Sequence, residues 1–209
     1  MSRRLQLPPT RSTLLEVRRQ LVFLEQGYRL LDRKRELLTR LMYDRLGSYR
    51  KLREQVDSQL RDAYKWLAIT QMRMGSRQLH QAAVGLSASM KVHILPRSSL
   101  GVQYPSVTVK RLALQPVSLL WSDSSFDEAR LRMAELALSL ARLGESEMAL
   151  RRVTQEQRKT QKRVNALRYN VIPSYRETIR SIENVLEEEE RNALFQNKLL
   201  KERREKAAD

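Results

Sequence analysis

An apolar residue recurs every three or four positions from residue 14 to residue 74, and this repeat constrains the fold more than any other feature of the chain. Such spacing places the apolar side chains on one face of an α-helix and is typical of a coiled coil. We predict one long helix over residues 12–75, capped by Ser12 or Thr13 and preceded by an N-terminal arm, residues 1–11. Arg35 and Arg45 interrupt the repeat, so we expect a narrow seam along which long basic side chains reach solvent. The repeat comprises Leu14, Val17, Leu21, Leu24, Tyr28, Leu31, Leu38, Met42, Tyr49, Leu52, Val56, Ala63, Leu67 and Met74.

A second repeat of the same kind predicts a second long helix and a C-terminal tail within residues 124–209. An isolated helix gains most of its stability by packing an apolar face, so the two helices are expected to fold back on each other. The predicted fold class is therefore mostly α: a long antiparallel two-helix coiled coil with a small β-hairpin-bearing middle segment. The positions of the second seam are Leu150, Val153, Gln157, Thr160, Val164, Leu167, Val171, Tyr175, Thr178, Ile182 and Leu186.

Pro173 lies inside this second helical pattern. Proline removes a backbone N–H and crowds the carbonyl four residues earlier, at a cost of about 3 kcal/mol or more in a helix interior. We therefore predict a local kink or a loosened turn at Pro173 that the partner helix holds in place.

The middle segment, residues 76–123, contains turn-forming glycines and prolines and two stretches of β-branched alternation, Lys91–Leu95 and Ser106–Leu112. This pattern predicts two short strands around a turn-rich loop. An isolated hairpin is only marginally stable in water, so we expect it to pack on the helices or on a partner. Trp121 and Phe126, near the end of the segment, are predicted to seal it against the helices.

Basic side chains outnumber acidic ones by 40 to 24, a formal net charge of +16. A charge this positive favours an anionic partner: nucleic acid, a membrane surface or an acidic protein cavity. The chain has no cysteine, which excludes a disulfide framework, a thiolate metal site and a cysteine nucleophile. No apolar run approaches the ~18 residues of a membrane-spanning helix, and no signal-peptide core is present. We expect a cytoplasmic protein.

No arrangement of residues indicates catalysis, and neither a cofactor nor a metal site is predicted. A phosphate-binding GxxxxGK[ST] loop is absent, and the two histidines, His80 and His93, lack metal-ligand spacing. Arg33–Arg35 and Arg50–Arg53 form basic clusters that could contact nucleic acid, but acidic residues interrupt them and aromatic residues are few. An enzyme is not expected, and a basic nucleic-acid-binding rod stays open as an alternative.

Three sequence motifs, in order, resemble those of the D subunit of V/A-type rotary ATPases. KTQKRVNALRYNVIPSYRETI, residues 159–179, is similar to the family's TRRRVNALEY..IP motif. PPTRSTLLEVRRQL, residues 8–21, resembles the family's opening, and SSLGVQYPSV, residues 98–107, resembles its MGV-x-VP motif. Three positions depart from the family pattern: Arg168 stands in place of the usual Glu, Leu100 in place of Met and Tyr104 in place of Val.

The resemblance implies a central-stalk rotor that transmits torque between a catalytic hexamer and the membrane ion-translocating ring. It implies as partners the hexamer of catalytic and non-catalytic subunits, the small F subunit, and a socket subunit of the membrane ring. The chain would then lie at the membrane only indirectly, as a cytoplasmic part of the complex. On the matched motifs, the implied hexamer contacts are Pro9, Thr10, Arg11, Arg163 and Asn165. The implied seam residues are Val164, Leu167 and Val171, and the implied tip of the middle segment comprises Gly101, Val102 and Pro105.

One further alternative is a coiled-coil adaptor of another hexameric ATPase, of the export-apparatus stalk type. Such two-helix hairpins lack a β-bearing middle, so the segment 90–112 discriminates against it. The sequence leaves open whether the transported ion is a proton or sodium, and whether the complex makes or consumes ATP.

Overall fold

The computed structural model describes residues 5–113 and 123–206. Its elements in chain order are α1 (Arg11–Met74), α2 (Ser76–Val84), β1 (Met90–Ser99), β2 (Val102–Arg111), α3 (Ser124–Ala166), a π-helical turn (Leu167–Val171) and α4 (Ile172–Lys206). The predicted fold class, mostly α with an antiparallel hairpin in the middle of the chain, is confirmed. The start of the predicted arm, Trp121 and the end of the predicted tail lie outside the described residues. No helix in the described ranges is long and apolar enough to cross a membrane.

The chain divides into two compact units, one formed by residues 1–36 and 158–209 and the other by residues 37–157. In both units the residues of the two sequence repeats are buried or half-buried. The seam of the first unit mixes apolar and hydroxyl side chains. Its buried residues are Val17, Thr160, Val164, Ile172, Ser174, Thr178, Ile179 and Ile182.

The core of the second unit consists of two apolar clusters. Leu38 of α1, Val102 of β2 and Val153 of α3 form one cluster, so it joins the hairpin to both helices. Val56 and Ala63 of α1 form the other cluster with Leu136 of α3, and half-buried Met133 and Leu143 complete it. Burial of these side chains on facing elements is what makes two long helices with few long apolar runs stable.

Helix α1 ends at Met74 because Gly75 has a left-handed φ of 78°, a conformation that glycine adopts without a steric penalty. The sequence did not predict the short helix α2 that follows. Its nine residues include none that is buried. A helix of this length is marginal by itself in water and is too short to give a periodic signal in the sequence.

The first residues of α3 contact the last turn of α1. The Ser125 hydroxyl lies 2.6 Å from the Asp123 carboxylate, and the Arg73 guanidinium donates to the same carboxylate at 3.2 Å. Thr70 donates to the Ser125 carbonyl at 2.9 Å in a buried position. These contacts hold the start of α3 against the end of α1.

We expect the stability of Asp123→Asn to fall less than that of the wild type when the pH is lowered. The hydrogen bond from Ser125, followed by that from Arg73, lowers the pKa of Asp123 below its ordinary value. A lowered folded-state pKa contributes stability that is present above the unfolded pKa of about 4 and is lost as pH falls through the lower folded value. Thermal melts from pH 2 to pH 6 should therefore show the wild type losing its advantage over the variant in acid. A constant difference in melting temperature across that range would contradict this assignment.

The hairpin is longer than predicted, with ten residues in each strand paired from Met90↔Arg111 to Ser99↔Val102. Leu100 and Gly101 connect the strands, and both have positive φ, 52° and 76°. Two central residues with positive φ define a type I′ turn, whose twist matches that of the strands. Leucine is unfavourable at such a position because its Cβ approaches the following carbonyl oxygen.

Replacing Leu100 with asparagine should stabilise the hairpin by about 1 kcal/mol, because Asn-Gly is the preferred type I′ pair and Leu100 carries the left-handed penalty. Hydrogen exchange of the hairpin amides should slow by about fivefold. Leu100→Ala is the matched control, since alanine also removes the exposed leucine side chain but, unlike asparagine, has no preference for the left-handed conformation. Equal effects of the two substitutions would mean that turn strain is not the cause.

Candidate functional site

The start of α1 carries the first of the predicted partner contacts. Thr10 caps the helix: its hydroxyl oxygen accepts a hydrogen bond from the Thr13 N–H at 3.2 Å, and its carbonyl accepts one from the Leu14 N–H at 2.9 Å. The predicted cap at Ser12 or Thr13 is therefore wrong by two or three residues, because α1 begins at Arg11 and Thr10 precedes it. Pro9, Thr10 and Arg11 are all exposed.

Three ion pairs connect α1 to α4 at seven-residue intervals. Arg11 pairs with Glu190, Arg18 with Glu183 and Glu25 with Arg176, at 2.5, 2.5 and 2.6 Å. The residue number rises by seven on one helix as it falls by seven on the other, which is the antiparallel register of a coiled coil. The third pair has the opposite polarity, so a shift by one heptad would bring like charges together. These pairs are exposed and contribute more to register than to stability.

The RVNAL motif presents one buried face and one exposed face. Val164 is 1% exposed, while Leu167 and Val171 are half-buried. Arg163 and Asn165 are exposed, and the Asn165 carbonyl oxygen accepts a hydrogen bond from the Gln161 amide at 2.9 Å. The motif therefore offers a cation and an amide to any partner that surrounds this part of the first unit.

The motif leads directly into the π-helical turn, Leu167–Val171, which ends just before Pro173. The Ile172 N–H bonds to the Leu167 carbonyl, five residues earlier. A proline at 173 cannot donate to the carbonyl of Tyr169, and a wider turn accommodates that missing bond. The Arg168 guanidinium lies 5.3 Å from the centroid of the Tyr169 ring, and both side chains are exposed.

We expect Pro173→Ala to leave the chain folded and to convert the π-helical turn to regular α-helix. The variant regains an N–H that can donate to Tyr169, which removes the physical reason for the wider turn. Chemical shifts and amide exchange of residues 167–173 would report the change. Loss of the folded state in a thermal melt of this variant would contradict the prediction.

The end of α4 has an exposed apolar surface that is not part of the repeat with three- and four-residue spacing. Beyond Glu190, which pairs with Arg11 at the start of α1, all residues through Leu200 are exposed. Four of them are large and apolar, with exposed fractions between 40% and 69%: Leu194, Phe195, Leu199 and Leu200. Their grouping as two adjacent pairs, outside the three-and-four spacing of the seam, is the sequence signal that could have revealed them. We call these four residues the terminal apolar surface.

Within the second unit, the hairpin packs against the long helices through β2. Val102 is buried against Leu38, and the Arg45 guanidinium lies 4.4 Å from the centroid of the Tyr104 ring while donating to its hydroxyl at 2.9 Å. Arg45 interrupts the apolar repeat because it packs against this tyrosine. Gly101 forms the turn, and Pro105 is half-buried opposite Pro96. Among the described residues, no group of three or more His, Asp or Glu side chains could hold a metal ion.

Comparison with known proteins gives a consistent result along nearly the whole chain. The family model for the D subunit of ATP synthase matches residues 13–202. The D subunit of the V-type ATP synthase of Thermotoga neapolitana is 33% identical over 93% of this chain and 97% of that protein. The D subunit of the A-type ATP synthase of Pyrococcus furiosus is 30% identical over 94% of each chain. The protein of the same name from Thermococcus gammatolerans is 31% identical over 96% of each.

Proposed function

The chain belongs to the family of ATP synthase D subunits, and on this premise we propose that it is the central-stalk rotor of a V/A-type ATPase. In this role it transmits torque between the catalytic hexamer and the membrane ion-translocating ring. It catalyses nothing itself, and ATP is made or hydrolysed in the hexamer. The resemblance drawn from the three sequence motifs is confirmed at the level of the family.

The observation that best supports a rotor role is the terminal apolar surface. Fully burying a leucine or phenylalanine side chain is worth about 1.5–3 kcal/mol relative to exposure, so four such side chains on one exposed helix end favour a covering partner. A sleeve formed by the hexamer would surround the end of a helix from all sides. This accounts for apolar side chains on more than one face of α4.

The first unit has the mechanical properties that a rotor requires. Its two helices are held in one register by the three heptad-spaced ion pairs and by a continuous buried seam. Torque applied to one helix is therefore passed to the other. Outside the terminal apolar surface, exposed charges make many weak contacts that solvent and salt screen, so a sleeve can pass over them without large barriers.

The remaining contacts follow from exposure on the matched motifs. Pro9, Thr10 and Arg11 would contact the hexamer at the terminal end of the first unit, and Arg163 and Asn165 would contact it further along, on the last turns of α3. The hairpin tip would contact the socket subunit or influence the hydrolysis cycle, and the F subunit would bind at the side of the chain. The protein would be cytoplasmic and would reach the membrane only through the complex, with no direct role for nucleic acid.

The test is to measure binding to the catalytic hexamer with the terminal apolar surface intact and removed. The variant L194S/F195S/L199S/L200S should bind at least about 100-fold more weakly, because it loses the apolar burial of four side chains. It should retain the wild-type melting temperature, because none of these residues is buried in the chain. ATPase turnover of the reconstituted complex provides a second measurement.

The control is M72S/V84S, which removes two apolar side chains that are 78% and 76% exposed in the second unit. It should leave hexamer binding unchanged. If the wild type fails to join the hexamer and binds DNA or RNA with steep salt dependence instead, the nucleic-acid-binding alternative replaces the rotor. If both variants bind the hexamer as the wild type does, the terminal apolar surface is not the contact.

A further inference from the structure

The two edges of the hairpin differ in their backbone hydrogen bonds. Ser99 and Val102 flank a two-residue turn and form a hydrogen-bonded pair, so bonded and non-bonded pairs alternate from there along the ladder. The outward N–H of Val107 on β2 donates to the Glu145 carboxylate of α3 at 3.0 Å. The corresponding N–H and C=O groups of Val92 and Ile94 on β1 also point outward. Within the described ranges, neither residue has a hydrogen-bond partner outside the hairpin.

The side chains of β1, like the backbone groups on its outer edge, are accessible to a partner. No residue of this strand is buried, and Val92, Ile94 and Leu95 are 45%, 65% and 62% exposed. An exposed, apolar edge strand with free backbone groups is a template for pairing with another strand. Pro96 limits such pairing to the part of β1 that precedes it, because proline offers no N–H.

The charge on the hairpin defines the partner. The sequence has no Asp or Glu between Asp62 and Asp123, so every charged residue of the hairpin is basic. Lys91 lies directly opposite Lys110 in the ladder, an arrangement of like charges that destabilises a strand pair. In the part of the chain that the structure describes, none of the four hairpin cations has an ion-pair partner: Lys91, Arg97, Lys110 and Arg111.

We propose that β1 binds an extended, acidic segment of a partner protein by strand addition along Met90–Ile94. The added strand bonds to the free backbone groups, its apolar side chains cover Val92 and Ile94, and its carboxylates lie near Lys91 and Lys110. A second copy of this chain does not suit the site, because pairing two β1 strands would bring lysines and arginines together. A phosphate-bearing partner would leave the outward carbonyls and the apolar side chains unpaired.

The probe is a short fluorescent peptide of alternating glutamate and valine, added to the full-length chain. Anisotropy should show binding that weakens with salt, whereas a peptide with lysine in place of glutamate should not bind. Hydrogen exchange should show new protection of the Val92 and Ile94 amides, with the amide of Val107 unchanged because it is already bonded. Peptide binding does not involve the hexamer, so failure of this proposal and failure of the rotor role would be seen separately.

Two sets of variants distinguish pairing through the backbone from nonspecific binding of the peptide. Ile94→Pro removes one outward N–H without breaking a ladder bond and should weaken binding about tenfold, whereas Ile94→Val should bind as the wild type does. The double variant K91E/K110E, which reverses the two opposed lysines of the site, should lose the glutamate peptide and gain the lysine peptide. That reversal tests the charge assignment in a chain shown to be folded by circular dichroism.

Three results would overturn the proposal. The first is equal binding by Ile94→Pro and Ile94→Val, because pairing through the outward N–H would then be absent. The second is tighter binding to vesicles containing phosphatidylserine than to the glutamate peptide, which would make β1 a membrane contact. The third is self-association of the chain that Ile94→Pro abolishes, which would make a second copy the occupant.

Discussion

Leu38→Ala is expected to destabilise the second unit by about 2–5 kcal/mol, the range for removing a fully buried leucine. Leu38 is 0% exposed and contacts Val102 of β2 and Val153 of α3. The substitution therefore leaves a cavity where three elements meet, and each of them resists collapse into it. Chemical denaturation measures the loss, and hydrogen exchange of β2 should rise with it because Val102 loses its packing partner.

The control is Leu37→Ala, one residue earlier on the same helix. Leu37 is 48% exposed, so its substitution should change the free energy of unfolding by less than about 0.5 kcal/mol, as for most surface positions. The same amino-acid change at neighbouring positions thus isolates burial. Similar losses for the two variants would mean that the leucine at 38 does not connect the hairpin to the helices.

Val164→Asp should destabilise the first unit by about 3–5 kcal/mol, the cost of leaving a buried charge without a partner. Val164 is 1% exposed in the seam of the first unit. At low pH the carboxyl group is protonated, so the loss should be smaller there than at neutral pH. Thermal melts at the two pH values measure both the loss and its pH dependence.

Asn165→Asp introduces the same carboxylate at the adjacent, exposed position. It should leave the free energy of unfolding nearly unchanged, apart from an altered hydrogen bond with Gln161. If Val164→Asp and Asn165→Asp were equally tolerated, the RVNAL motif would not supply the seam. If Asn165→Asp alone weakened hexamer binding, it would support the proposed contact at that residue.

The predictions that succeeded depend on local periodicity. The residues of both repeats are buried or half-buried, because the helical period alone determines which side chains share a face. The two stretches of β-branched alternation correctly predicted strands at β1 and β2, because side chains alternate between the two faces of a strand with a period of two residues. The sequence motifs determined the family, since they preserve order and spacing along the chain.

Other features were missed because no periodic pattern encodes them. Thr10 is the cap instead of Ser12 or Thr13 because α1 begins at Arg11, two residues after Pro9. Helix α2 is too short for a periodic signal, and the type I′ turn places Leu100 where its sequence preference is poor. The terminal apolar surface was hidden because its residues follow no seam.

By itself the sequence determined that the chain forms two long helices and a hairpin, because these depend on interactions between residues near one another. The tertiary structure decided which long-range contacts complete them. Arg45 occupies a seam position because Tyr104 of the hairpin stacks against it. Among the described residues, Val107 on the outer edge of β2 bonds to Glu145 of α3, whereas Val92 and Ile94 on the edge of β1 have no such partner. Both contacts join residues distant in sequence, and their geometry depends on how whole elements pack, which a local pattern of residue types cannot specify.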